Sequence, residues 1–595
     1  MTITAPPSEP VTAAPEPPKL PWYRRSLDAV MTRRLEGRTV LIIVAAVVLL
    51  YLVLAPVFML TSTTFQNNHS NLPFSKGTAW SFENYTSVFS RADTYSVLGT
   101  TLIFALGSLL LAAVIALAFA WLLERSDLPC RNLVFVLVIA PSGMPLVIVC
   151  IAWSLLLNPR NGVINQVLHS AFGFTFNVYS MPGMILVQAL GMVPLTFLLI
   201  VGSLRAMNGV LEDAADTSGA NGFAIFRKIT MPLLTPALMA AFIYQFVTAV
   251  KDLDVPLILG LPGHVNVLSL EIYNSTRPAV GLPNYGLAST YGFFLFLLAL
   301  APLIVYNRVI SSRGRYATLS GRVRRPKRAQ LGRWRWPLFG VVVGYVVVSL
   351  LLPLGILVWS SLQPFYSGIN RAALKRTTTS GWSNTFTDPA VQQAIKNTLI
   401  IGLCSATATM VLSVLISWII VRSRTRWVWL LDILAFIPHA MPSIVLGLAL
   451  LLIYLVLPLP IYGTIWIIVI GQATLFVSLG TRLMSAAFAQ MQVGLEEAAA
   501  TSGAATGRTW LRIIMPTMRA PFANGFLLVF MASMQNLTLP LLLASPQNTV
   551  LSGLIYQRWD FGLTTEATVL CVVLTVITVG LAVFLRGFGG KGLDV

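Results

Sequence analysis

Apolar residues in this chain gather into long runs instead of alternating with polar positions. A helix that crosses about 30 Å of hydrocarbon needs about 20 mostly apolar residues. Runs of that length lie near 39–61, 97–123, 132–157, 181–204, 235–257, 288–310, 337–361, 396–421, 428–457, 463–485, 520–543 and 567–587. The pattern predicts an all-α integral membrane protein with about 12 transmembrane helices.

The segments outside these runs divide the chain. The opening stretch is rich in Pro, Ala, Thr and Glu and lacks an apolar core, which is typical of a disordered tail rather than a cleaved signal. We therefore predict a tail over 1–38, a first half over 39–310, a basic linker over 311–336 and a second half over 337–595.

The halves repeat each other. Ala140-Pro-Ser-Gly-Met-Pro145 recurs as Ile437-Pro-His-Ala-Met-Pro442 at an offset of 297 residues, and Thr100-Thr-Leu-Ile103 recurs as Asn397-Thr-Leu-Ile400 at the same offset. From Gln188, which matches Gln472, the offset is 284, so the second half lacks 13 residues in the loop before its fourth helix. Two parallel-repeat six-helix halves predict a pseudo-two-fold axis along the membrane normal, with the pathway between them.

Basic residues concentrate in every second loop between the apolar runs. They precede the first run, fall in the loops on the same predicted side and crowd the linker, which carries no acidic residue. These residues are Arg24, Arg25, Arg33, Arg34 and Arg38, then Arg125, Arg131, Arg205, Arg227, Lys228, Arg422, Arg424 and Arg426, and in or just before the linker Arg308, Arg313, Arg315, Arg322, Arg324, Arg325, Lys327, Arg328, Arg333 and Arg335. Because loops on the inner side of a membrane are enriched in Lys and Arg, both termini and the linker are expected in the cytoplasm.

Composition supports the membrane class. The chain is 56% hydrophobic and 10% charged, with a mean hydropathy of +0.78. It holds 40 Lys and Arg against 21 Asp and Glu, but this excess flanks the apolar runs, so it indicates membrane topology and not a nucleic-acid partner. The four cysteines and four histidines have no metal-ligand spacing, and we predict no metal site.

The loop after the fourth run of each half carries a repeated motif. The first copy reads Glu212-Asp-Ala-Ala-Asp-Thr-Ser-Gly219, followed by Ile229-Thr-Met-Pro232; the second reads Glu496-Glu-Ala-Ala-Ala-Thr-Ser-Gly503, followed by Ile513-Ile-Met-Pro516. We expect a short acidic helix, a turn at glycine, and a second helix that ends where proline starts the next span. Two such helix pairs are suited to two equivalent clefts of a two-fold partner.

Both copies resemble the signature of permease subunits of type I ABC importers, which reads Glu-Ala-Ala, three residues, Gly, nine residues, Ile, one residue, Leu-Pro. The matching residues are Asp213, Ala214, Ala215, Gly219, Ile229 and Pro232, then Glu497, Ala498, Ala499, Gly503, Ile513 and Pro516. Asp replaces Glu at 213, and Met replaces Leu at 231 and 515. The fused layout of two halves is similar to that of ferric-iron permeases.

The resemblance implies a multi-pass permease of the bacterial inner membrane that binds two kinds of partner. Each loop would form a coupling helix that seats in a separate, homodimeric ATP-binding cassette subunit, which would bind ATP and Mg²⁺. A periplasmic or lipid-anchored binding protein would deliver the substrate to the outer face. Ferric iron is the favoured substrate, and permeases for thiamine and aminoethylphosphonate share the layout.

No enzymatic site is recognisable in the sequence. The phosphate-binding motif Gly-x-x-x-x-Gly-Lys-Ser/Thr is absent, since Gly590-Lys591 is followed by Gly592. We therefore expect no cofactor on this chain and ATP hydrolysis in the partner subunit.

Two further groups are candidates for the pathway. Pro141 and Pro145, with Pro438 and Pro442, interrupt the third span of each half, either as bends that line a pathway or as packing kinks. Lys251, Asp252 and Asp254 stand where the second half has Gln535, Asn536 and Thr538. We place them near the outer mouth, where two carboxylates can receive a cation or simply mark the wet end of a helix.

Two other classes of protein fit parts of the pattern. A twelve-span secondary transporter also uses repeated halves, but it normally carries coupling charges within its spans, whereas acidic residues here concentrate in loops and span ends. A membrane scaffold or channel without active transport has no use for duplicated docking loops.

Overall fold

The protein was analysed as a computed structural model, which describes residues 37–67, 72–207, 209–278, 280–311, 328–423, 428–492, 494–504 and 506–589. The predicted tail up to residue 36 and linker residues 312–327 lie outside these ranges, as do His69, Arg424 and Arg426. The predicted domain division is therefore not tested at these boundaries and stays a prediction.

The first half consists of helices joined by short loops and one small hairpin. Its helices are α1 (Gly37–Thr64), α2 (Glu83–Phe89), α3 (Ala92–Arg125), α4 (Arg131–Ile139), α5 (Leu146–Leu156), α6 (Val163–Phe172), α7 (Met181–Ala206), α8 (Val210–Thr217), α9 (Gly222–Ile225), α10 (Met231–Val250), α11 (Leu268–Thr276) and α12 (Tyr285–Ser311). Strands β1 (Gln66–Asn67) and β2 (Ala79–Trp80) pair antiparallel. A 3₁₀ turn covers Ala140–Gly143, and π-helical turns cover Phe226–Thr230 and Pro256–Gly260.

The second half repeats this order. Its helices are α13 (Arg335–Val346), α14 (Leu352–Ser361), α15 (Arg371–Leu374), α16 (Ser380–Thr387), α17 (Pro389–Arg422), α18 (Val428–Ala440), α19 (Ser443–Val456), α20 (Ile465–Gln490), α21 (Gly494–Thr501), α22 (Thr506–Thr509), α23 (Met515–Gln535), α24 (Thr538–Leu543), α25 (Leu551–Asp560) and α26 (Thr564–Gly589). A 3₁₀ turn covers Gly332–Trp334, and π-helical turns cover Val347–Leu351 and Trp510–Ile514.

The number of spans agrees with the prediction. Among the described residues, ten helices are long and apolar enough to cross a membrane, or up to 12 if each of two bent pairs counts as one span. The bent pairs are the third predicted spans, with angles of 90° between α4 and α5 and 103° between α18 and α19. The all-α membrane class is confirmed.

The sequence offsets reappear as matching helix bounds. Helices α3 and α17 each have 34 residues and start 297 positions apart, whereas α7 and α20 each have 26 residues and start 284 positions apart. The extra residues of the first half form α6, between α5 and α7. The repeat is therefore structural, and the insertion lies where the change of offset predicts it.

The repeated threonine of the second spans holds a neighbouring helix. The hydroxyl oxygen of Thr101 accepts a hydrogen bond from the Leu268 N–H at 2.9 Å, and that of Thr398 accepts one from Leu551 N–H at 2.8 Å. Each threonine thus satisfies an N–H at the start of α11 or α25 that has no partner within its own helix. This pairing explains why the Thr100–Ile103 motif recurs in the second half.

The predicted fifth spans, 235–257 and 520–543, are placed too far along the chain. The candidate spans run over Gly222–Val250 and Gly507–Gln535. The helix stops because Asp252 and Asn536 accept hydrogen bonds from the N–H groups of Val255 and Leu539, three residues ahead, which starts a new short helical segment. The apolar residues beyond this point are buried without continuing the span.

The first span of each half packs against the other half. Helix α1 contacts α17, α18 and α19, and α14 contacts α5. The hydroxyl groups of Tyr51 in α1 and Tyr454 in α19 lie 2.8 Å apart. The two halves are therefore interlocked, with the bent third spans at their interface.

Candidate functional site

Loop A, residues 210–232, contains α8 and is held by a buried ion pair. Arg125 Nε, at the end of α3, lies 3.1 Å from Glu212 Oε2, and the two side chains are only 8% and 7% exposed. The Thr230 hydroxyl donates to Glu212 Oε1 at 2.6 Å, and Arg125 also donates to the Leu204 carbonyl at 3.2 Å. One carboxylate thus ties α8 to the second span and to the start of the fifth.

Loop B, residues 494–516, is held in the same way. Arg422 Nε donates to Glu496 Oε1 at 2.8 Å and Arg422 Nη2 to the Met491 carbonyl at 2.9 Å. The Trp418 indole adds a bond of 3.3 Å to Glu496 Oε2. Arg125 and Arg422 are related by the offset of 297 and Glu212 and Glu496 by that of 284, so both halves build the same anchor.

Glycine ends the acidic helix of each loop in a left-handed conformation. The φ of Gly219 is +83° and that of Gly503 is +75°. The N–H groups of Ala220 and Ala504 each donate to a carbonyl five residues back, at 3.0 Å, which closes a Schellman turn. A Cβ at either glycine meets no atom within 4 Å, so backbone conformation, not lack of space, favours glycine here.

The outer face of each loop exposes apolar side chains. Leu211 is 56% exposed and its equivalent Leu495 is 44% exposed. Ala214 and Ala498 are exposed beside them, whereas Ala499 is buried. Exposed leucine next to small alanines gives a surface that a protein partner can approach closely.

The second helix of each loop does not end at proline, contrary to the sequence prediction. Residues 222–250 form one candidate span that passes through Ile229 and Pro232. Residues 507–535 form another that passes in the same way through Ile513 and Pro516. Proline lacks an N–H for the carbonyl four residues back. The helix therefore widens locally, and the N–H groups of Met231 and Met515 bond carbonyls five residues back, at Phe226 and Trp510.

This continuity gives each loop a mechanical connection to the membrane. In loop A, the Glu212 carboxylate accepts a hydrogen bond from Thr230, which lies in the same candidate span as α10, so α8 is tied to the fifth span. In loop B, the Trp418 indole contacts both Glu496 and Trp510, so α21 is connected to its fifth span through that side chain.

The prolines of the third spans lie at the two bends. Pro141 is in the 3₁₀ turn before α5, while Pro145 and Pro442 directly precede α5 and α19. Pro438 lies within the last turn of α18 and does not break it. Both bends contact the opposite half: the Thr578 hydroxyl donates to the Gly143 carbonyl at 2.9 Å, and Lys251 Nζ donates to the His439 carbonyl at 2.9 Å.

The charged residues after the fifth span of the first half lie against the second half. Lys251 caps α10, and Asp252 and Asp254 follow it, all three partly buried. The Thr538 hydroxyl donates to Asp254 Oδ1 at 3.3 Å. Because Asp254 and Thr538 are equivalent positions 284 residues apart, their contact lies close to the pseudo-two-fold axis.

The Lys251 side chain donates its hydrogen bond to the second half. Its ammonium group reaches the His439 carbonyl, and no ion pair joins it to Asp252 or Asp254 in the part of the chain that the structure describes. Their assignment to the pathway stays a prediction, now located at the interface of the halves.

Aromatic and charged side chains extend from the contact between Lys251 and His439 into the second half. The ring of His439 stacks on Tyr244 with centroids 4.5 Å apart and lies 5.7 Å from Phe436. The Arg482 guanidinium sits 4.7 Å above Phe436 and pairs with Asp432 at 3.1 Å. An ion pair between α20 and α18 therefore connects to the interface through two stacked rings.

The anchors were not predicted from the sequence. Arg125 and Arg422 were interpreted as topology signals alone, and Glu212 and Glu496 as the start of the short acidic helix of each loop. Applying the two offsets to all charged residues would have shown that one arginine and one glutamate recur as a pair. Trp121 and Trp418 recur likewise, and they pack edge-on against Phe226 and Trp510 at 6.4 and 5.3 Å between centroids.

Known proteins resemble this chain in both halves. The profile of a family described as binding-protein-dependent transport system inner membrane component matches residues 116–313 and 410–586. A putative ferric transport system permease protein of Haemophilus influenzae is 26% identical over 74% of this chain and 69% of that protein. A ferric transport system permease protein of Actinobacillus pleuropneumoniae is 26% identical over 75% of this chain and 64% of that protein.

A solved structure also shows a weak likeness. It is a bacterial alginate ABC transporter in complex with an alginate pentasaccharide-bound periplasmic protein, with a TM-score of 0.39 and 18% identity. The match covers 50% of this chain and 99% of the solved one.

Proposed function

Because the chain belongs to the family of binding-protein-dependent transport system inner membrane components, we propose that it forms the whole translocation pathway of an ATP-driven importer. The family profile matches once in each half, so one chain supplies the two permease units. The observation that carries the proposal is the pair of equivalent loops, each anchored by a buried or half-buried arginine and glutamate.

Loops A and B are the docking sites for a separate, homodimeric ATPase. Their exposed leucines and alanines suit a protein interface, and their relation by the repeat suits two equivalent clefts. The Arg125–Glu212 and Arg422–Glu496 pairs keep each docking helix fixed to its half. Closure of the ATPase on binding ATP then moves the fifth spans.

Both termini and the linker face the cytoplasm in this proposal, with loops A and B on the same side. The distribution of arginine and lysine supports that orientation. A binding protein docks on the opposite face of the bacterial inner membrane and releases its substrate between the halves.

The substrate that we propose is ferric iron. The names of two relatives, each matched over about two thirds of its length, support this choice. Cells that express this chain with its genomically neighbouring ATPase and binding protein should accumulate radiolabelled ferric iron, and removal of this chain should reduce uptake to background. Saturable uptake of thiamine or aminoethylphosphonate, with none of ferric iron, would replace the substrate and keep the transporter class.

Exchanging the two carboxylates at the interface for their second-half equivalents is expected to slow uptake of a cationic substrate about fivefold or more. Asp252→Asn keeps the cap, because Asn536 already makes the same bond in the other half. Asp254→Thr replaces the carboxylate with a hydroxyl, whose oxygen can still accept the hydrogen bond from Thr538. The exchange thus removes two negative charges from the pathway with little change to the backbone, and the initial uptake rate of the double variant measures the loss.

The matched control is Asp560→Asn, which removes an exposed carboxylate at the end of α25. It should leave uptake unchanged. If the double variant also transports at the normal rate with normal substrate affinity, the two aspartates only cap and pack the chain.

A further inference from the structure

A cavity of about 560 Å³ lies where the end of the linker meets the first half. Its walls come from three separate segments: the turn between α3 and α4, the last residues of the linker, and the start of α13. The charged residues that line it are Asp127, Arg131, Arg328 and Arg335. Three arginines against one aspartate leave an excess of positive charge around a space large enough for a small anion.

Backbone hydrogen bonds hold the linker against this turn. The Ala329 N–H donates to the Arg125 carbonyl at 2.8 Å, and the Asp127 N–H donates to the Ala329 carbonyl at 3.1 Å. Asp127 Oδ1 accepts a further bond from the Leu331 N–H at 2.9 Å. The cavity is therefore bounded by bonded chain, so its arginines are brought together by the fold.

The arginines around the cavity differ in how firmly their neighbours hold them. Arg131 bonds the Leu123 carbonyl and pairs with Glu124 at 3.7 Å, so it is fixed by the first half. Arg335 lies 4.0 Å from Asp127 and is 47% exposed, and Arg328 is exposed. Arg328 and Arg335 can therefore turn their guanidinium groups towards a ligand without breaking a buried contact.

Tryptophans beside the cavity indicate its depth in the membrane. Trp334 and Trp336 flank Arg335 and are 58% and 66% exposed. They stand at the start of the candidate span Gly332–Ser361. Exposed tryptophan at the end of a span is typical of the bilayer interface, which is the level of the lipid phosphates.

We propose that this cavity is a binding site for a phosphate group, held by Arg328 and Arg335 with Arg131 behind them. One guanidinium group can donate two parallel hydrogen bonds to two oxygens of a phosphate group, a geometry that an ammonium group lacks. The phosphate is supplied by an anionic phospholipid headgroup or by a free phosphate ion, which share this chemistry. Val428 occupies the position equivalent to Arg131, so the second half lacks this arginine.

The test compares binding to the whole purified, delipidated chain by native mass spectrometry. Phosphatidylglycerol, phosphatidylcholine and inorganic phosphate are titrated separately. The wild-type chain should hold one phosphatidylglycerol, and the double variant Arg328→Gln/Arg335→Gln should hold it about tenfold or more weakly. The matched control Arg333→Gln removes an exposed arginine from the same turn that does not line the cavity, and it should bind as the wild type does.

Each outcome decides the proposal. Unchanged phosphatidylcholine binding in all variants shows that the double variant is folded. Binding of inorganic phosphate with the same dependence on Arg328 and Arg335, without phosphatidylglycerol binding, keeps the site and assigns it to the free ion. The proposal fails if the double variant binds both ligands as the wild type does, or if Arg333→Gln weakens binding equally.

Discussion

Replacing Arg125 with glutamine is expected to lower the initial rate of substrate uptake about tenfold or more while the chain still inserts in the membrane. The substitution leaves Glu212, 7% exposed, without its charged partner. Removing one partner of a buried ion pair costs about 3–5 kcal/mol, because the remaining charge stays desolvated. The cost falls on loop A and on the Leu204 carbonyl at the end of α7, so loop A loses its fixed position while the spans persist.

The structure provides a matched control for this prediction. Arg205 pairs with Glu124 at 2.8 Å but is 51% exposed, and an exposed pair contributes only about 0–1 kcal/mol. Arg205→Gln should therefore transport nearly as the wild type does. Adding Glu212→Gln to Arg125→Gln removes the unpaired charge and should restore part of the rate.

Two results would contradict this interpretation. Normal uptake by Arg125→Gln would show that the anchor has no role in coupling. A loss of membrane insertion in Arg125→Gln, but not in the double variant, would show that the pair serves assembly of the spans instead.

Much of the fold could be predicted because the bilayer restricts the possible structures. Long apolar runs give helices, and the offsets of 297 and 284 predict the equivalence of α3 with α17 and of α7 with α20. A parallel duplication gives each half an internal comparison, which is why the position of the α6 insertion was predicted correctly.

The ends of the fifth spans could not be read from hydropathy. Apolar, buried residues resume at Leu253 and Val255–Leu259 beyond the charged Lys251 and Asp252, so a hydropathy average does not end the run at Val250. The boundary comes from one polar cap, Asp252 in the first half and Asn536 in the second. Hydropathy averages over such a residue, whereas backbone hydrogen bonding depends on it.

Pro232 and Pro516 were misread for a related reason. Proline usually marks a helix start, but a single missing N–H can also be absorbed by one wide turn. The tertiary anchors at Glu212 and Glu496 hold the flanking segments in line, and no local pattern reports them. Long-range pairs between charged residues are visible only when the repeat is used to align the halves.

Omitting the ATPase is expected to have the largest effect of all, the complete loss of uptake. The sequence carries no Gly-x-x-x-x-Gly-Lys-Ser/Thr motif, and in the proposed function the energy comes from a partner that docks on loops A and B. A twelve-span secondary transporter, which also has two repeated halves, would instead depend on an ion gradient. The energy source therefore separates the two classes.

The most direct measurement is uptake into proteoliposomes that contain this chain, enclose ATP and Mg²⁺, and receive the substrate-loaded binding protein outside. With the ATPase present, uptake should persist when a proton uncoupler collapses the gradient. Without the ATPase, it should equal that of protein-free liposomes. Uptake that needs no ATPase and stops with the uncoupler would contradict the assignment of this chain to an ATP-driven importer.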